Sequence, residues 1–294
     1  MNNEYKNDIN WFPGHMTKTL RMMQENQKLI DIVIELVDAR IPLSSRNPSI
    51  DEIFPSKPRM VVMNKSDIAD ASVTESWKRY FVKKGLRAEA VSSTSGKSLQ
   101  GIFSVCREQL REKIEHDAAR GLVNRPIKIM VVGIPNVGKS SFINKLSGRK
   151  STVTGDRPGV TRGKQWIRLG NGFELLDTPG VLWPKFEDRA VGEKLAFTGA
   201  IRDEVMDIEE IACLLLEFLS KNYPDRLTER YKMTDFRELD GYELLQLLGK
   251  KRGFVVSGGE IDTERAAKIL LDEFRGAKLG RISLETPPEY DTEE

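Results

Sequence analysis

Two short motifs stand in an order that restricts what this chain can fold into. Asn64-Lys65-Ser66-Asp67, directly after the strand-like run Arg59-Met-Val-Val-Met63, has the pattern of a base-reading loop. Gly133-Ile134-Pro135-Asn136-Val137-Gly138-Lys139-Ser140, a phosphate-binding loop, comes only later. A small nucleotide-binding switch domain ordinarily has the phosphate loop first. The two loops must meet around one nucleotide, and chain order does not decide that. The reversed order therefore points to one circularly permuted nucleotide-binding domain.

The hydrophobic pattern agrees. Strands are expected over 31–38, 59–63, 87–91, 127–132, 164–169 and 173–176, the last two joined by Gly170-Asn171-Gly172, a hairpin turn. Helical periodicity falls over 16–29, 71–83, 99–116 and 139–146. Alternating strands and helices predict an α/β fold: a mostly parallel sheet with helices on both faces. The segment 99–126 is long enough for the crossover that joins the permuted halves. After Pro184 the pattern changes to helices at 208–219, 241–248 and 262–275, with no convincing strand. This gives a permuted P-loop domain over 1–184 and a small all-α domain over 185–284. Residues 285–294 carry five acids, no base and Pro287-Pro288, and read as a disordered acidic tail.

Each motif carries its own chemistry. The phosphate loop follows an apolar strand and opens a helix, the context a P-loop requires. Backbone amides from Asn136, Val137, Gly138, Lys139, Ser140 and Ser141 wrap the phosphates at a helix N-terminus. Lys139 is expected to bridge the β- and γ-phosphates, and Ser140 to ligate Mg²⁺. Asp177-Thr178-Pro179-Gly180 follows a strand; Asp177 can hold the metal through water, and the Gly180 amide can sense a γ-phosphate. Thr161 lies where a switch threonine would coordinate Mg²⁺ and order its loop in the triphosphate state; Thr152 and Thr154 compete for the assignment. Asp67 can accept two hydrogen bonds from the edge of guanine, whereas adenine offers no such donor pair. Lys65 is expected to stack along the base and Asn64 to tie this loop to the phosphate loop. Ser92-Ser93-Thr94, at a strand end, is expected to offer backbone contact to the guanine carbonyl. The set reads as a circularly permuted P-loop GTPase, binding GTP and GDP, rather than an ATPase.

Composition excludes some classes and leaves others open. The chain is 39% hydrophobic and 31% charged, with no apolar run of membrane-spanning length and a polar N-terminus, which predicts a cytoplasmic protein. Its two cysteines, Cys106 and Cys213, read as small buried residues in a reducing compartment. Net charge is only +2, yet Lys145, Arg149, Lys150, Arg157, Arg162, Lys164 and Arg168 cluster against the single acid Asp156. That stretch is either a solvated face or a surface for a polyanion. No heptad seam calls for a dimer, so a monomer is expected.

With Asn10-Trp-Phe-Pro-Gly-His-Met16 in front, Asp38-Ala-Arg-Ile-Pro42, Asp177-Thr-Pro-Gly-Val-Leu-Trp-Pro-Lys185 and Gly258-Gly-Glu-Ile-Asp262, these motifs resemble the ribosome biogenesis GTPase A family of circularly permuted GTPases. The resemblance spans nearly the whole chain. It implies action in late assembly of the large ribosomal subunit, on a precursor of rRNA and ribosomal proteins bound in the GTP state and left on hydrolysis. It also implies that the C-terminal helices contact rRNA. Many GTPases place Gln after D-x-x-G to orient the attacking water; here Val181 stands there, so turnover is expected to be slow alone. The resemblance points to His15 as the group that positions the water, and to Asn136 as a ligand for K⁺. His116, in a charged helical context, reads as a surface residue. A competing reading is a GTP-dependent switch recruiting a protein effector through its helices; a metabolic NTPase fits poorly, because no further substrate signature appears. The permutation also puts Gly180 at the end of the GTPase domain, so the linker after it is expected to transmit the nucleotide state.

Overall fold

A computed structural model describes residues 14–96, 98–148, 166–176, 180–182 and 188–288, without the side chains of His15 and Gln100. Compactness divides the chain into two units, with boundaries at 183/184 and 282/283.

The first unit runs α1 (Gly14–Asn26), β1 (Ile32–Asp38), α2 (Ser49–Ile53), β2 (Arg59–Asn64), α3 (Ala71–Lys83), β3 (Arg87–Ala90), α4 (Gln100–Gln109), α5 (Arg111–Ala119), β4 (Ile127–Gly133), α6 (Lys139–Ser147), β5 (Trp166–Leu169) and β6 (Phe173–Leu176). Its six strands lie in the order β3-β2-β1-β4-β6-β5, all parallel except the edge hairpin β5–β6. β1 is buried along its whole length, as expected for a parallel strand covered on both faces. Asn171 and Gly172 both have positive φ, which matches the twist of the hairpin they turn. On one side of the sheet, Trp77 and Phe81 of α3 pack on Val37, Val61 and Met63.

From β1 the chain moves outward through β2 and β3; from β4 it moves the other way. The permuted halves therefore join along the β1–β4 pairing, and the crevice at the C-terminal ends of these two strands is the topological switch point where α/β sheets bind ligands. The register places Asp38 opposite Asn64, and Leu36 opposite Gly133, at that end.

The single helix expected over 99–116 is broken. Leu110 sits buried between α4 and α5 with φ −102°, while α5 buries none of its residues. Leu110 is held in the core, whereas the turns beyond it bury nothing against the sheet. Burial pushes the Cys106 thiol on α4 up to about 12. Glu285, expected to open a disordered tail, is instead bound. The Glu285 carboxylate accepts hydrogen bonds from the amides of Leu43 and Ser44, and its carbonyl accepts one from Trp77 Nε1. Backbone donors in the first unit satisfy the charge that suggested a free tail; 289–294 lie outside the described residues.

The second unit, Pro184–Ile282, holds α7 (Arg189–Phe197), α8 (Ile208–Asn222), α9 (Pro224–Tyr231), α10 (Gly241–Arg252) and α11 (Thr263–Arg275). α8 is central and packs against the other four. Asp188, Asp207, Asp240 and Asp262 cap the N-termini of α7, α8, α10 and α11. Sequence periodicity missed α7 and α9, and among the described residues the only extended pairing here is an isolated bridge, Val255 to Ile261. Cys213 on α8 is half-buried rather than fully buried. Among the described residues, no helix is long and apolar enough to cross a membrane.

Candidate functional site

Asn64 joins three loops that are far apart in sequence. Its Nδ2 donates to the Val137 carbonyl of the phosphate loop at 2.8 Å. Its Oδ1 accepts from the Ser93 amide at 3.1 Å and from Ser93 Oγ at 2.7 Å. The side chain is buried, so each of these bonds replaces one that water would otherwise make. Ser92 is buried too; its carbonyl accepts from Gly96, and its hydroxyl from the Ser95 amide. The Ser93 amide is therefore engaged with Asn64, so the backbone contact to guanine expected of the Ser92-Ser93-Thr94 loop falls to its other groups. Ser93 braces the base-reading loop from behind.

Gly138 has φ +94°, and a Cβ there would stand 2.3 Å from Asn64 Nδ2. Only glycine permits both that backbone and that approach. α6 begins immediately after it, with Ser140 and Ser141 exposed in its first turn and the Lys139 amine turned inward. Asn136 is exposed with φ +57°. These amides and the helix dipole make an anion cradle. Gly180 closes its far side: a Cβ there would lie 3.0 Å from the Pro135 backbone. A solvent-facing serine hydroxyl beside such a cradle is the hard oxygen donor that Mg²⁺ takes, so the residues present fit that ion.

On the base side, Asp67 is exposed and Lys65 is partly so. Lys65, with φ +62°, donates from Nζ to Asp38 Oδ2 at 2.9 Å. Arg40 grips the same buried carboxylate through Nε at 2.9 Å and Nη2 at 2.8 Å. Burial alone would raise the Asp38 carboxyl. The charges of Arg40 and Lys65 and their hydrogen bonds outweigh it, and hold the group well below the usual carboxylate range. Sequence reasoning gave Asp38 and Arg40 no role; the signal was an acid closing a buried strand with a base two residues on.

The position after Gly180 is equally defined. Val181 is buried, its amide donates to the Gly133 carbonyl at 3.1 Å, and its carbonyl accepts from Asn47 Nδ2 at 3.2 Å. No side chain at this position can hold a water. Thr161 and Asp177 lie outside the described residues, as does the basic stretch between Lys145 and Arg168 apart from its ends. His15 falls in the first turn of α1, with its side chain among those not described.

Comparison with known proteins follows this geometry. A protein named ribosome biogenesis GTPase A from Bacillus cereus is 50% identical over 282 residues, covering 96% of this chain and 95% of its own. The chain belongs to the ribosome biogenesis GTPase A family. A second relative of that name, from Priestia megaterium, is 49% identical over 96% of this chain and 98% of its own. A GDP-bound structure of TM YlqF matches with a TM-score of 0.68 at 28% identity, covering 92% of this chain and all (100%) of that one. A family model described as 50S ribosome-binding GTPase matches residues 128–242. The chain is thus a GTPase with a circularly permuted P-loop domain.

Proposed function

We propose that this GTPase is an assembly factor for the large ribosomal subunit in the cytoplasm. It binds a precursor particle of rRNA and ribosomal proteins in the GTP state and leaves on hydrolysis. The observation that carries this reading is Val181: a site built to hold GTP has a buried valine, with both backbone groups engaged, where a water-orienting side chain would stand. Turnover then waits on a partner, and the relatives' names, together with the family model's description, support a ribosomal one.

Ser140 and Thr161, with Asp177 through water, would hold Mg²⁺, which neutralises charge on the β- and γ-phosphate oxygens when bound. Lys139 adds charge at the same place. Asn136 is assigned to K⁺, and His15 to positioning the attacking water once the particle is engaged. The helical unit meets rRNA through phosphate contacts, which weaken as salt rises.

GTP turnover measured with and without purified large subunits, in K⁺ and in Na⁺ at equal ionic strength, tests the reading. Stimulation by the particle, greater in K⁺, is expected; no stimulation contradicts the assembly role, and equal rates in the two salts remove K⁺ alone. His15→Ala should lower stimulated turnover and spare GTP binding. Cosedimentation with particles in a non-hydrolysable GTP analogue but not in GDP separates this reading from recruitment of a protein effector.

A further inference from the structure

The loop over 39–48, between β1 and α2, is moored to more of the chain than a surface connection needs. At its base, Asp38 holds Lys65 and Arg40, and its amide donates to Ser45 Oγ at 3.0 Å. In its middle, the Glu285 carboxylate accepts from the amides of Leu43 and Ser44, and from Ser44 Oγ at 2.6 Å. The Arg40 carbonyl accepts from the Leu284 amide at 2.8 Å. Three residues past the base-reading motif, the Asp70 amide donates to Ser283 Oγ at 3.1 Å. At the far end of the loop, Asn47 holds the Val181 carbonyl.

All these residues belong to the nucleotide-binding unit, yet Val181 and Ser283 flank the helical unit in the chain. One flank follows the γ-phosphate sensor. The other, a strap over 283–285, is bound to the residues that support the base-reading Lys65. Leu284 and Ser283 are buried, so the strap is built in rather than resting on the surface.

We propose that the strap is a positioning element of the guanine site, with Glu285 its anchor. Glu285 fixes the loop at Leu43 and Ser44, and the fixed loop holds the Arg40 backbone. Arg40 then presents its fork to Asp38, which sets the Lys65 ammonium where the face of the base lies. Withdrawing the strap lets Arg40 shift and frees Lys65 from its set position, so nucleotide leaves faster. A partner that acts on the helical unit thereby has a second handle on the nucleotide, at the base rather than at the γ-phosphate. The inference rests on the guanine-nucleotide reading of the site and not on which particle is bound.

The test is the dissociation rate of a fluorescent GDP from the full chain. Glu285→Ala should accelerate it about tenfold, as loss of hydrogen bonds to a charged group would. Ser44→Ala should act in the same direction by less, and the double variant should add little to Glu285→Ala. Glu285→Gln, whose amide oxygen still accepts from the two backbone amides, should restore most of the slow release. Lys113→Ala breaks an ion pair with buried Asp31, at the opposite end of the strands, and supplies the control. It should lower thermal stability and leave GDP release alone. Unchanged release in Ser44→Ala and Glu285→Ala overturns the proposal, as does equal acceleration in Lys113→Ala. If Glu285→Ala does not fold, Ser44→Ala decides the matter, and release as slow as in wild type overturns the proposal. A wild-type chain that binds no GDP overturns instead the guanine reading of the site.

Discussion

The nucleotide-binding unit keeps polar side chains in its interior where the helical unit keeps leucines. Among the described residues, Asp38, Arg40, Ser44, Ser45, Asn47, Asn64, Ser92 and Ser93 are buried near the ends of β1, β2 and β3. Among its described residues the helical unit buries only Thr198 and Glu273 of that kind, and Glu273 is held by Arg230 and Arg252. Its interior is closed by Leu215, Leu219, Leu244, Leu248 and Leu270. A buried charge or amide costs more than a buried leucine unless every partner is in place. The leucines hold one element to the next, whereas each polar group in the first unit holds a loop in one arrangement. Packing in the helical unit supplies stability; buried polarity in the nucleotide unit supplies geometry.

That contrast can be broken at three points. Gly138→Ala should cause the largest change in nucleotide binding, because its Cβ would displace Asn64. GDP affinity measured by calorimetry is expected to fall by more than about a hundredfold, roughly 3 kcal/mol. Affinity within a few-fold of wild type would mean that the close approach does not matter. Leu215→Ala, in the helical unit, should cost about 2–5 kcal/mol of that unit's stability in urea unfolding while leaving GDP affinity unmoved. A matching loss of affinity would dissolve the distinction between the units.

The smallest effect is in pH. The folded state favours ionised Asp38, so its contribution is complete above the unfolded carboxylate value of about 3.9 and is lost as pH falls through the lower folded value. The difference in unfolding free energy between wild type and Asp38→Asn should stay constant from about pH 8 to about pH 5, and shrink only below about pH 4. A difference already shrinking between pH 7 and 5 would show that Lys65 and Arg40 do not hold the carboxylate as described.

The sheet was legible in the sequence because β1 and β4 are short, mostly apolar runs, interrupted inside by Glu35 and Lys128 alone, as parallel strands covered on both faces are. The helix break at Leu110 was not, since a helical pattern does not record where its axis turns. α9 escaped because a short polar helix burying only Leu227 and Tyr231 carries too few turns for a period to show. At the site, Asn64, Gly138 and Gly180 were legible as motif residues. The role of Asp38 was not: a carboxylate at a strand end carries no mark of the lysine it meets across the sheet. Glu285 was misread for a related reason. Acidic composition predicts solvation on average, and says nothing about two backbone amides waiting in a loop far back in the chain.

The central claim is that one buried amide, Asn64, closes a guanine site across the permutation. Asn64→Ala, compared with wild type for GDP and ATP binding by calorimetry on protein of matched folded content, tests it most directly. The account predicts GDP preferred over ATP in wild type, and GDP affinity reduced about a hundredfold or more in the variant, well beyond the roughly tenfold one ordinary hydrogen bond represents. GDP affinity within about twofold of wild type, or ATP bound as tightly as GDP by the wild-type chain, would contradict it.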